Sequence, residues 1–209
     1  MREKSLKELL LGTPLIYQIL QNGIRKPSSD VFLANEVIQA KSGLAILDVG
    51  CGVSRIRPHL GDVTYVGVDH NSSYIRRARK KYGLLGRYYV ADVSSVSEIS
   101  KNKFDRVLLL AVLHHLSDNE ALQLIAQCKS LLKADGFLIS ADPVFVQDQN
   151  PIAYLISRFD RGRFVRSATG YERLVGSQFK IRDLVIRHDL LWLPSSTAII
   201  TTQSSAEPR

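Results

Sequence analysis

The stretch Leu44-Ala-Ile-Leu-Asp-Val-Gly-Cys-Gly52 constrains this chain more than any other: an apolar run ends on a carboxylate and then turns through two glycines. A continuous aliphatic run of this length fits a strand buried on both faces, the mark of a parallel sheet covered by helices. Gly50 and Gly52 let the backbone turn sharply and approach a ligand with no Cβ in between. The following residues, Val53 to Leu60, are placed to open a helix whose free N–H groups and positive dipole end would face an anionic group. Glycine pairs punctuate many turns. Asp48 just before the first glycine, together with a second apolar run that also ends on an acid, makes this turn informative.

The second run is Thr64-Tyr-Val-Gly-Val-Asp69. The spacing from Gly52 to Asp69 is close to that at which a carboxylate accepts hydrogen bonds from a ribose in a βαβ nucleotide-binding unit. A vicinal diol offers two donors, and an ionised acid has two acceptor oxygens to meet them. A dinucleotide-binding unit would want a third glycine where this chain has Val53-Ser54-Arg55, and it would not need an acid before the glycines. The pattern therefore points to a nucleoside-bearing cofactor other than a dinucleotide.

With those residues in view, the chain resembles the class I S-adenosylmethionine-dependent methyltransferases, in motifs that follow one another in the right order over nearly its whole length. Asp48-Val-Gly-Cys-Gly52 resembles the family's first motif and Tyr65-Val-Gly-Val-Asp69 its ribose-binding second. Tyr89-Val-Ala-Asp92-Val93 resembles the third, whose acid contacts the adenine amino group. Phe104 to Leu110, running on through Leu113-His-His-Leu116, resembles the fourth strand and its loop. Leu131-Leu-Lys-Ala-Asp-Gly136 resembles the turn before the fifth strand, with Ala134 and Asp135 in place of a proline and a glycine. The resemblance implies an α/β fold with a Rossmann-like, doubly wound, seven-stranded sheet, mostly parallel, with one antiparallel strand in an edge hairpin. It also implies S-adenosylmethionine as cofactor. Gly50 and Gly52 would hold it by backbone approach, Asp69 at the ribose, and Asp92 and Val93 at the adenine. Asp48, Cys51, His70 and Ala111 would line the same cleft.

Strand and helix signals alternate along the chain as a parallel sheet requires. Strands are expected near 44–49, 64–69, 87–91, 104–110 and 136–141. Helices are expected near 30–41, 53–60, 71–82, 118–132 and 168–176. Ser117 with Glu120 three residues on has capping-box spacing at the start of the fourth of these helices. Phe179 to Leu190 and Thr197 to Thr202 read as a final hairpin. The whole is expected to be one domain over 1–209, with an N-terminal helical cap at 1–23 and a lid insertion at 143–167. That insertion is too rich in aromatic and aliphatic residues (Phe145, Tyr154, Leu155, Phe159, Phe164) for a disordered linker.

At 209 residues, with 45% hydrophobic and 23% charged residues, the chain can bury a full sheet with helices on both faces. Its two cysteines are too few for a disulfide framework and suit a reducing compartment. No apolar run is long enough to span a bilayer. Arg2 and Lys4 before Leu9 to Leu20 imitate a secretory signal, but Glu3, Glu8, Pro14, Tyr17 and Gln18 spoil the imitation, so a cytoplasmic location is expected. The net charge of +8 concentrates on Arg76, Arg77, Arg79, Lys80, Lys81 and Arg87, and again on Arg158, Arg161, Arg163 and Arg166. The first cluster is either a solvated helix face or a footprint for nucleic acid.

Methyl transfer from a sulfonium is an in-line displacement, so holding the acceptor in line supplies much of the rate. A general base is needed where the acceptor must lose a proton. His114 and His115 fall just beyond the fourth strand, at the edge where open α/β sheets bind ligands. Either one orients or deprotonates the acceptor, or the histidine braces the loop. Neighbouring histidines are expected to diverge, and no acid stands at ligand spacing, so no metal site is expected. Asp142, at the end of the fifth strand, is a pocket candidate or a cap for the first turn of the lid. Its Asp-Pro-Val-Phe setting lacks the second proline of the amino-methyltransferase signature and follows the wrong strand for it. The arginines at 158–166 either meet an acidic group on a substrate or tie the lid to the body. The expected acceptor is a small or sugar-containing molecule. RNA, or a purely cofactor-binding role, is the alternative.

Overall fold

The computed structural model describes residues 25–92, 95–96, 103–158 and 163–203. The expected N-terminal cap, Val93 and Arg161 lie outside them. Helix α1 (Pro27–Phe32) runs into a π turn over Leu33–Val37 and leads to strand β1 (Ala45–Val49). Strand β2 (Thr64–Asp69), helix α2 (Ser72–Tyr82), β3 (Arg87–Val90) and β4 (Phe104–Leu110) follow. Then come α3 (Asp118–Leu131), β5 (Leu132–Phe145), α4 (Pro151–Arg158), the two-residue β6 (Arg166–Ser167), α5 (Ala168–Gly176), β7 (Ile181–Arg187) and β8 (Thr197–Thr202). The main sheet has the order β3-β2-β1-β4-β5-β8-β7, with β6 pairing off this path against the end of β5. The first five strands are mutually parallel, and β8 is antiparallel to both β5 and β7. This is the Rossmann-like, doubly wound sheet expected, with its one inserted antiparallel strand.

The apolar runs read as continuous because both faces of the central strands are covered. Leu47, Val49, Val107 and Leu109 point into one core, with Leu124, Ile125 and Cys128 of α3. Ile46, Leu108 and Ile139 point into the other, with Ile38 and with Ile75 of α2. Alternate residues of one strand therefore serve opposite layers. By the same alternation Asp48 falls on the face of Ile46, beneath helices rather than in solvent. Its exposure is 2%.

Three local expectations changed. Val53 to Leu60 forms turns and a 3-10 turn over Arg57–His59 instead of a helix. Ser54 adopts φ +55°, which no right-handed helix accommodates. The turn expected at 131–136 is absorbed into a bulge. Phe104 pairs with Leu132 and Arg106 with Phe137, so Lys133, Ala134 and Asp135 loop out exposed while β5 keeps pairing. Helix α1 begins earlier than expected, with Pro27 in its first turn. Helix α3 starts as its sequence dictates: Ser117 accepts from the Glu120 N–H at 3.4 Å, and Glu120 accepts from the Ser117 N–H at 2.8 Å.

Candidate active site

The parallel register brings the ends of β1, β2, β3 and β4 to one edge. Val49 pairs with Val68, which sets the glycine turn level with Asp69, and Asp69 pairs with Val90. Gly50 takes φ +71°, and a Cβ there would stand 2.6 Å from Val112 Cγ2. Any other residue would be both strained and in collision. The Gly50 and Cys51 N–H groups donate to Val68 O at 2.8 and 3.0 Å, which fastens the turn to β2. Asp69 is fixed from both sides: Gly52 N–H donates to Oδ2 at 2.9 Å and Asn71 N–H to Oδ1 at 2.8 Å. Each oxygen keeps a second lone pair, which is what a ribose diol needs. His70 beside it is exposed, with Nδ1 3.7 Å from Asp69 Oδ1. Asp92 lies just past β3 and is exposed.

Asp48 is held differently. The Tyr65 hydroxyl donates to its Oδ2 at 2.6 Å, while Oδ1 has no hydrogen-bond partner among the described residues. Burial pushes this carboxyl up to about 7, and the neighbouring Asp69 charge adds to the rise. A buried carboxylate with one open oxygen beside the glycine turn suits a cationic group. Close by, Asp30, itself buried, accepts from Arg25 at 3.4 Å and from Arg55 at 3.1 Å. The Arg25 charge draws the Asp48 value partly back down. Burial also raises the Cys51 thiol far above its ordinary range, so Cys51 packs against the cleft as a neutral group.

At the next strand ends the two histidines part company. His114 is buried, and Asp142 Oδ1 takes both its backbone N–H at 3.2 Å and its Nδ1 at 2.8 Å. Asp142 thus anchors the 3-10 turn Leu113–His115 through its middle residue instead of capping the first turn of the 143–167 segment. His115 is exposed, but the rings do not diverge: they lie 4.0 Å apart at 39°. Ala111, at the end of β4, carries φ +61°, a strained value for a residue with a Cβ. Arg166 decides one of the open readings. Its guanidinium donates to the carbonyls of Leu113 and Leu116, both at 2.8 Å, and to Asp118 Oδ1 at 2.6 Å. It ties the post-β4 loop to the 143–167 segment, so that arginine is committed within the protein.

Sequence reasoning passed over three features. Tyr65 is the polar tip in an otherwise apolar strand, and that was the available signal for its hold on Asp48. The Arg25–Asp30–Arg55 cluster is completed by Arg55, 25 residues beyond Asp30, and leaves no local pattern. The third is a cavity of about 650 Å³ between 146–153 and the β7–β8 connection, 188–196. It opens past the end of β5, from Val146 onward, next to the point where Val144 N–H donates to Ser196 O at 3.0 Å.

Comparison with known proteins agrees with this geometry. Residues 46–136 match a family model described as a methyltransferase domain. A protein of Anoxybacillus flavithermus described as an uncharacterized methyltransferase is 25% identical over 144 residues, 68% of this chain and 66% of its own length. The fold is similar to that of a TehB-like SAM-dependent methyltransferase from Corynebacterium glutamicum, with TM-score 0.66 and 20% identity over 90% of this chain and 94% of that one. It is also similar to magnesium protoporphyrin IX methyltransferase from Synechocystis with bound SAM, with TM-score 0.62 and 20% identity over 85% and 78% of the two chains.

Proposed function

We propose that the chain carries a class I S-adenosylmethionine-dependent methyltransferase domain and that it methylates an oxygen or nitrogen of a small-molecule acceptor, sugar-containing metabolites among them. The donor supplies a methyl group already activated on a sulfonium. The protein's part is to hold and to exclude. Gly50 and Gly52 would admit the donor against the backbone, Asp69 would take its ribose diol and Asp92 the adenine, with Val93 joining it as the resemblance implies. Cys51, His70 and Ala111 line the cleft. The open Oδ1 of Asp48 would meet the donor's cationic end, an interaction favoured by the ionised carboxyl.

Asp142 positions His114 through Nδ1, and His114 in turn seats His115 by ring contact. Where the acceptor is a hydroxyl, its proton passes to the exposed His115 imidazole. The observation that carries the small-molecule reading is the 650 Å³ cavity beyond the end of β5, within the size range of small-ligand sites. The RNA alternative rests on the exposed arginines and lysines of α2. That helix starts at the ligand-binding edge and runs back from it, so its basic second half lies toward the opposite edge of the sheet.

The test is a cell extract incubated with methyl-labelled donor and the full chain, then fractionated by size. Label in the low-molecular-weight fraction is the expected result. Label in RNA overturns the acceptor class, and absence of S-adenosylhomocysteine binding overturns the cofactor assignment.

A further inference from the structure

We propose that the outer face of α2, with the Leu84-Leu85 turn beyond it, docks this protein on an anionic lipid bilayer. The arginines and lysines meet phosphate headgroups, and Leu84 enters the acyl boundary below them. This surface lies apart from the cofactor cleft and from the 650 Å³ cavity, so it places the protein rather than binding its acceptor.

Between Asp69 and Asp92 the chain carries six arginines and lysines and no acid. Helix α2 buries Ile75 and Ala78 against the sheet. Arg76 and Lys80, and likewise Arg77 and Lys81, stand one turn apart on the opposite face, and all four are exposed. Arg79 is committed within the protein, its Nε donating to Tyr88 O at 3.1 Å. Arg76, Lys80, Lys81 and Arg87 enter no ion pair among the described residues. The strands that α2 packs on, β2 and β3, carry one acid, Asp69, at the far end of the helix. Asp62, before β2, adds a single negative charge and accepts from Ser42 Oγ at 3.1 Å. The face therefore keeps a concentrated positive field, complementary to a phosphate surface.

The turn is an independent observation. Leu84 is fully exposed and Leu85 nearly half exposed. The backbone that presents them is fastened down: Leu85 N–H donates to Tyr82 O at 2.8 Å, and Leu85 O accepts from Nε of the buried Arg57 at 2.6 Å. Gly86 lies so close to the body that a Cβ there would stand 2.8 Å from Tyr65 Cδ1. The fold thus holds an aliphatic side chain out beyond the last basic turn of α2. A nucleic-acid backbone offers that side chain no apolar partner, whereas basic residues above an aliphatic tip suit a membrane interface. The nearby rings do not offer stacking faces for bases. Tyr82 is half buried with the Lys81 ammonium 5.1 Å from its ring centre, and Tyr89 alternates with the buried Tyr88 and so faces the sheet's other layer.

The test is sedimentation of the full chain with vesicles, one set of phosphatidylcholine alone and one of phosphatidylcholine and phosphatidylglycerol in equal parts. The expected result is binding at least tenfold tighter to the anionic set, weakening as salt is added. Each basic residue near such a surface strengthens binding roughly fivefold. The double variant Arg76→Gln with Lys80→Gln should therefore bind at least tenfold more weakly. Leu84→Asn should weaken binding about tenfold and leave the salt dependence in place. All three side chains are exposed, so the variants should fold, and circular dichroism checks that they do. Equal binding to the two vesicle sets, or anionic binding unchanged in either variant, overturns the proposal. So does single-stranded RNA that, phosphate for phosphate, binds more tightly than the anionic vesicles, which would assign the face to nucleic acid.

Discussion

Replacing Asp48 by asparagine should make the stability of this protein less dependent on pH, by an amount its burial sets. The carboxyl is raised from 3.8 to about 7, chiefly by burial. A native state that binds a proton the unfolded chain has already released loses stability as pH rises between those two values. Each pH unit in that window is worth roughly 1.4 kcal/mol, so the loss totals about 4 kcal/mol and levels off above pH 7. Asparagine keeps the shape and an oxygen for the Tyr65 hydroxyl, but it cannot ionise. Its buried amide N–H groups cost roughly 1–3 kcal/mol at every pH. The offset between wild type and variant should therefore move about 4 kcal/mol toward the variant from pH 4 to pH 8. Urea unfolding followed by circular dichroism at intervals across that range, without donor, measures it directly. Groups that titrate alike in both proteins cancel in the difference. Parallel stability curves would refute the reasoning, because Asp48 would then ionise alike in the folded and unfolded chain.

Other outcomes follow from the same coordinates. Gly50→Ala forces a Cβ to 2.6 Å from Val112 Cγ2 at φ +71°. It should cost roughly 2–4 kcal/mol and abolish S-adenosylhomocysteine binding, read by thermal unfolding and calorimetry. Asp69→Asn turns an N–H toward either the Gly52 or the Asn71 donor, so S-adenosylhomocysteine should bind at least tenfold more weakly while the fold persists. Arg166→Lys loses the fork that spans Leu113 O, Leu116 O and Asp118. Amide exchange over 112–118 should accelerate tenfold or more with donor affinity unchanged, and unaltered exchange would count against the clamp. Burial pushes the Cys128 thiol up to about 12 and Cys51 higher still, so iodoacetamide at pH 8 should label neither in the folded protein.

The sequence by itself determined the sheet and the acids that end its strands at one edge. Local chemistry is enough for both: apolar runs such as Ile46 to Val49 can only be doubly covered strands, and each ends on its acid before the chain turns. Its errors came where neighbours override local preference. Ser54 is drawn into positive φ beside the glycine turn, and the extra residues after α3 are taken up as a bulge because β5 has a strand to pair with on each side. Only the tertiary structure decided which histidine is buried. His114 and His115 are equivalent as letters, and what separates them is Asp142, brought beside one of them by the β4–β5 register. Tyr65 against Asp48, the fork of Arg166, and Lys26 over Trp192 are likewise contacts between residues far apart in the chain. Hydrophobic periodicity records which face of an element is covered, but it does not record what covers it. The sheet and the acids along its edge could therefore be read from the chain, and the cavity between 146–153 and 188–196 had to be seen in three dimensions.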